Sequence, residues 1–151
     1  MQGSILIVDD DVDVLEAMKT VLESEGYVVY TAVNPEQAKV CMMENKVHVV
    51  IMDYLFAEYT GDQLIRDLKE IDEGFSIIFL SGWPQVIKAV EGLEYMVFRV
   101  FLKPVDPEIL LSAIRSISGD YVDPYRFLDA RQIVTELSQP HQASCHQGEC
   151  L

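Results

Sequence analysis

The sequence predicts an α/β protein built on a doubly wound, five-stranded parallel sheet, with a C-terminal helical extension. Three observations carry this reading. Short runs of Val, Ile and Leu alternate five times with segments whose apolar residues recur at helical spacing. The runs are apolar at consecutive positions, as expected for strands covered by helices on both faces. Polar residues of matched chemistry stand at the C-terminal ends of four of the runs, which is the edge where open sheets of this kind bind ligands.

In chain order, Ile5 to Val8 forms a short buried strand. A helix follows, marked by Val14, Leu15, Met18, Val21 and Leu22, with Gly26 as its stop. The second strand begins at Tyr27. Asn34 caps the next helix, Pro35 occupies its first turn and Gln37 reaches back. The third strand, from Val47, ends at Asp53. Leu64, Ile65, Leu68 and Ile71 mark a third helix, and the fourth strand starts at Ser76. Val86, Ala89, Val90 and Leu93 share one face of a fourth helix. The fifth strand lies within the run from Met96. Asp106 caps a fifth helix that Pro107 opens, with Leu110, Ala113, Ile114 and Ile117 inward. Right-handed crossovers leave few topologies for such a chain.

Composition narrows the function. The chain has 151 residues, half of them hydrophobic, enough for one domain with a full core. No run approaches the roughly eighteen apolar residues of a membrane span, and no cationic region precedes the first apolar run, so neither a membrane segment nor a secretory signal is expected. A formal charge of −14 argues against direct nucleic-acid binding, which needs a basic patch. The three cysteines, at 41, 145 and 150, are too few and too odd in number for a disulfide framework, so a reducing cytoplasm is expected. His48, among valines, reads as a strand-end histidine satisfied by a neighbour, and Cys41 as a small apolar filler.

The strand ends carry the chemistry. The first strand ends at Asp9, Asp10 and Asp11, the third at Asp53, the fourth at Ser81-Gly82 and the fifth at Lys103-Pro104. Two carboxylates ~4 Å apart repel by about 4 kcal/mol at an effective dielectric near 20. Either one takes a proton or a cation sits between them. Oxygen ligands without thiol or imidazole suit Mg²⁺, which keeps several waters and favours phosphate as a co-ligand. Lys103 adds a point charge for an anion, and Ser81 a hydroxyl donor. Such a set suits phosphoryl transfer, with Asp53 as the nucleophile that becomes an acyl phosphate.

The motifs ILIVDD, VVIMD, FLSG and FLKP occur in order over residues 4–118. In them the chain resembles the receiver domain of two-component response regulators, a (βα)5 flavodoxin-like fold of the chemotaxis-receiver type. The resemblance implies that Asp53 is the phosphoacceptor. It implies Mg²⁺ held by Asp10 directly, by Asp9 more through water, by Asp53 and by the backbone carbonyl of Leu55. Ser81, Gly82 and Lys103 would contact the phosphoryl oxygens, and the Lys103-Pro104 bond would be cis. Asp11, one position past the motif, is expected to help start the first helix. The implied partner is a histidine kinase or a histidine phosphotransfer protein. The implied output and homodimer surface is the face made by the fourth helix, fifth strand and fifth helix. The chain is expected not to be an enzyme beyond self-catalysed phosphotransfer and autodephosphorylation.

Departures from the family pattern are specific. Where receivers commonly carry a Met-Pro pair after the acceptor, this chain has Phe56-Ala57, and loss of the proline should loosen the loop; Gly61 still matches. Three residues before Lys103, the usual Tyr or Phe is Val100, and Phe98 and Phe101 are read as facing away from it. This puts the family's aromatic switch in doubt. Trp83 and Leu55 flank the expected route of an attacking water.

The expected organisation is a receiver over 1–118, an amphipathic helix over 119–139 and a disordered tail over 140–151. Phe127, Ala130, Val134 and Leu137 share a face of that helix. In the tail, His141, Cys145, His146 and Cys150 are metal-competent, but their spacing does not match known zinc signatures. Two rival readings stand beside the phosphoacceptor. One is a pseudo-receiver acting as a phosphorylation-independent binding module. The other is an aspartyl-nucleophile phosphohydrolase, which would want an acid/base aspartate where Leu55 stands.

Overall fold

The computed structural model describes residues 3–54, 61–85, 97–119 and 121–126. The predicted fourth helix, Leu55, the Phe56-Ala57 pair, the predicted C-terminal helix beyond Arg126 and the four His/Cys residues of the tail lie outside the described residues; the start of that predicted helix is described, and residues 124–126 form a turn there. Five parallel strands form one sheet: β1 (Ser4–Val8), β2 (Val28–Ala32), β3 (Val49–Asp53), β4 (Ser76–Ser81) and β5 (Val97–Leu102). Their order is β2-β1-β3-β4-β5. The chain thus winds outward from β1 in one direction and from β3 in the other, and the switch in direction falls between these two strands.

The four described helices are α1 (Val12–Ser24), α2 (Pro35–Glu44), α3 (Gly61–Ile71) and α4 (Pro107–Ser116). Their ends have local causes. Asp11 is the N-cap of α1, its carboxylate accepting from the amides of Asp13 and Val14. Gly26, just past α1, has φ of +96°, which a residue without Cβ adopts at little cost. Asn34 caps α2 by accepting from the Gln37 amide, and the Gln37 side chain returns to accept from the Val33 amide. Asp106 caps α4 ahead of Pro107.

The sheet divides the core in two. Leu6, Val8, Val50, Met52, Ile77 and Phe79 face the layer under α2 and α3, with Leu64, Ile65 and Leu68. Ile5, Ile7, Val49, Ile51, Ile78 and Leu80 face the layer under α1 and α4, with Leu15, Met18 and Leu110. Burial on both faces explains why the strands read as unbroken apolar runs. Cys41 packs at the margin of the first layer, and burial raises its thiol pKa. His48 Nδ1 lies 3.1 Å from the Ser4 amide that donates to it, so this histidine is satisfied at the sheet's N-terminal edge.

Simple alternation fails once, in β5. Period two would put Phe98 on the face of Val100. The register instead shifts between Ile77 and Ile78, which pair with Val97 and Arg99, leaving Phe98 as an extra residue. Val97 and Val100 therefore share one layer while Phe98 and Phe101 share the other. The two phenylalanines do face away from Val100, Phe101 by alternation and Phe98 because of the bulge.

Gly61 opens α3 where there is no room for a side chain. A Cβ there would lie 2.7 Å from Phe79 Cε1 and 2.8 Å from Tyr54 Cδ2. The two rings meet edge to face, with centroids 5.3 Å apart. Gly61→Ala is therefore expected to destabilise the protein by about 1–3 kcal/mol through overpacking. A urea midpoint lowered with unchanged slope would register this; an unchanged midpoint would contradict it.

Candidate functional site

The site forms at the C-terminal edge of the sheet, astride the switch between β1 and β3. Asp9 directly follows β1 and Asp53 ends β3, so neighbouring parallel strands deliver both carboxylates to one edge. Backbone bonds hold them there: the Asp9 amide donates to the Ala32 carbonyl, and the Tyr54 amide to the Leu80 carbonyl. Lys103 arrives from the far side of β4, its amide donating to the Ser81 carbonyl at 2.7 Å, ahead of a cis bond to Pro104.

The Lys103 ammonium is shared. Its Nζ lies 2.8 Å from Asp9 Oδ2 and 3.1 Å from Asp53 Oδ2. Asp9 is 2% exposed, and its other oxygen accepts from the Asp11 amide at 2.9 Å. Burial works against the lysine charge, but Asp9 and Asp53 together outweigh it and raise its pKa above the ordinary lysine value. The stabilisation this reflects is complete below the unfolded lysine pKa and is lost only as pH rises through the higher folded value.

Asp10 is the exposed member of the group. Partial burial first, then the Asp9 carboxylate beside it and Asp53 beyond, raise its pKa. A single ammonium thus stands against three carboxyl groups. Among the described residues, no three carboxylate, imidazole or thiol groups form a metal cage by themselves. The donors present are hard oxygens with exposed Asp10 among them, a set that suits a divalent cation which keeps most of its waters.

The remaining expected residues are placed as follows. Ser81 ends β4 fully buried, its hydroxyl accepting from the Trp83 amide at 3.0 Å. Gly82 is exposed, with open space where a Cβ would stand. Trp83 is 61% exposed. Val100 lies within the core at 1% exposure. Asp11 serves α1 and not the shared ammonium.

Sequence reading passed over Tyr54 and Asp62. Tyr54 follows Asp53, is buried, and donates its hydroxyl to Asp62 Oδ1 at 3.1 Å. The Gly61 amide donates to the Tyr54 carbonyl at 2.7 Å. An aromatic residue beside a catalytic-type aspartate was the available signal, but its partner is eight positions away across a loop.

The charge balance has a measurable consequence. Because folding raises the Asp10 pKa, the folded state binds more protons than the unfolded chain between the ordinary carboxyl value and the raised one, and stability falls as pH rises through that window. Asp10→Asn should stabilise the protein at pH 7 in chelator by on the order of 0.5 kcal/mol, the scale of exposed charge interactions. Thermal melts should show the gain shrinking as pH falls toward the ordinary carboxyl pKa; a loss of stability at pH 7 would refute it.

Comparison with known proteins agrees with this geometry. The response regulator receiver domain family matches residues 5–115. The transcriptional regulatory protein GlrR of Escherichia coli is 34% identical over 110 residues, covering 73% of this chain and 25% of that protein. The phosphate regulon transcriptional regulatory protein PhoB of Pseudomonas aeruginosa is 28% identical over 116 residues, covering 76% and 51%. The chain thus spans between a quarter and about half the length of these relatives. A receiver domain protein from Clostridium thermocellum superposes with a TM-score of 0.70 at 28% identity, over 78% of this chain and 94% of that one. A CheY-like receiver from Methanospirillum hungatei gives 0.72 at 26%, over 79% and 96%. The matched stretch runs from β1 to α4 and contains the shared ammonium with both of its carboxylates, and the chain belongs to the response regulator receiver domain family of two-component signalling.

Proposed function

We propose that the chain accepts a phosphoryl group on Asp53 from a histidine kinase or a histidine phosphotransfer protein, in a Mg²⁺-dependent step, and so switches a partner-binding surface. The observation that carries this is the Lys103 ammonium held between Asp9 and Asp53, with the carboxyl of Asp10 alongside.

In this reading an Asp53 oxygen attacks phosphorus, the phosphorus–nitrogen bond to the donor imidazole breaks, and an acyl phosphate forms. The donor imidazole, protonated on its other ring nitrogen, leaves with the bonding pair and is neutral once released. Lys103 keeps its contact with Asp9 and offers its charge to a phosphoryl oxygen in place of the Asp53 oxygen it now holds. Ser81 sits on the adjacent strand end, so its hydroxyl can turn from the Trp83 amide to a second phosphoryl oxygen, and the exposed Gly82 amide can serve a third position. Asp9, Asp10 and Asp53, with the Leu55 carbonyl, would hold Mg²⁺. When bound, Mg²⁺ supplies charge that offsets the meeting of a carboxylate with a phosphoryl group.

The output is expected on the face of β5 and α4, together with the predicted helix before β5, and a homodimer through that face is part of the proposal. With Val100 buried where the family places an aromatic ring, signal would pass by another route. Val100 also favours a second reading, a pseudo-receiver whose binding surface is independent of phosphorylation. A phosphohydrolase is disfavoured because Leu55 occupies the place of its acid/base aspartate. The proposal includes a cytoplasmic location; no helix among the described residues is long and apolar enough to cross a membrane.

Incubation with acetyl phosphate and Mg²⁺ should add one phosphoryl group by mass spectrometry. Asp53→Asn and chelator should each abolish the gain. No gain in the parent protein would favour the pseudo-receiver, and turnover of a phosphate ester would revive the hydrolase.

A further inference from the structure

The departure from the family loop leaves a question about what positions the acceptor. Six residues, 55–60, separate Tyr54 from Gly61, and the proline usual in that stretch is replaced by Ala57. Yet the two ends of the stretch are tied together more than once. The Gly61 amide donates to the Tyr54 carbonyl at 2.7 Å. The Tyr54 hydroxyl donates to Asp62 Oδ1 at 3.1 Å, and the second oxygen of Asp62 lies 3.6 Å from Arg66 one turn along α3.

The tyrosine ring is held on its other sides as well. It packs edge to face on Phe79, and the glycine at 61 leaves no space between that ring and the helix start. The Tyr54 amide donates to Leu80, so its backbone belongs to the sheet. Burial first, and Asp62 second, push the Tyr54 pKa up to about 12, and the hydroxyl remains a donor throughout the neutral range. The result is a closed clamp between the end of β3 and the first turn of α3. Asp53 is the residue immediately before it.

We propose that Tyr54 is a positioning residue for the acceptor site: its hydroxyl bond to Asp62 ties the end of β3 to the first turn of α3 and so fixes the main chain at Asp53, the carboxylate that Mg²⁺ binding needs. This rests on the reading of Asp53 as phosphoacceptor. The inference deepens that reading by naming a residue outside the shared motifs that would set the affinity of the site for its cation.

The test uses the full chain and Tyr54→Phe, which keeps the ring on Phe79 and removes only the hydroxyl bond. Two quantities are read at a temperature where circular dichroism shows parent and variants fully folded. The first is the Mg²⁺ concentration that half-saturates phosphorylation by acetyl phosphate. The second is Mg²⁺ affinity itself, by calorimetry without phosphodonor. Tyr54→Phe should weaken both by up to about tenfold, the scale of losing one hydrogen bond to a charged group. Asp62→Ala removes the same bond along with the Arg66 contact, so it should weaken both at least as much, and adding Tyr54→Phe to Asp62→Ala should cost nothing further, because the bond is already gone. Asp62→Asn keeps an acceptor oxygen and should stay near the parent. Unchanged Mg²⁺ affinity in Tyr54→Phe, or losses that multiply in the double variant, would overturn the clamp while leaving the acceptor reading intact. Absence of any phosphoryl gain in the parent protein would remove both.

Discussion

One ammonium group between two carboxylates organises the acidic edge. Without Lys103, Asp9 and Asp53 would face each other across neighbouring strand ends, and the buried Asp9 would be left with the Asp11 amide as its donor among the described residues. Removing one partner from such a group is costly because the other is left desolvated and unpaired. The same arrangement leaves the site short of positive charge, since Asp10 stands beside the pair with its pKa raised. The ion pairing that steadies the resting protein and the residual negative charge that would attract a cation are therefore two aspects of one geometry.

The scaffold gives that geometry its precision. Both faces of the sheet are covered, so each strand is fixed by two apolar layers as well as by its neighbours. The strand ends that carry Asp53 and Ser81 then have little freedom along the strand axis. At the start of α3, Tyr54, Gly61 and Phe79 fill the space so closely that a methyl group would not fit. The bulge in β5 has the opposite character: one extra residue reverses the facing of Phe98 and brings it to the layer under α1 and α4 that Phe101 already faces. At position 100, three residues before Lys103, this core holds a buried valine.

Much of this was legible in the sequence, for reasons that are local. Unbroken Val/Ile/Leu runs revealed strands buried on both sides. Asn34, Pro35 and Gln37 announced α2, and Asp106 with Pro107 announced α4, because caps act over three or four residues. The site residues were legible through their position at the ends of those runs. The facing of Phe98 was not derivable, since a bulge depends on how β5 pairs with β4. Tyr54 and Asp62 were missed because their bond crosses a loop and neither belongs to a motif.

The sequence by itself determined the alternation of strands and helices, the caps of α1, α2 and α4, and which polar residues stand at the sheet's C-terminal edge. These follow from periodicity and from short-range hydrogen bonding, which each stretch of chain carries within itself. Only the tertiary structure decided that Lys103 reaches both Asp9 and Asp53, 94 and 50 positions away. It also decided that the Ser81 hydroxyl turns to Trp83 and that Tyr54 closes on Asp62. Those outcomes depend on strand order, register and the direction of single side chains, which are set when distant segments pack together.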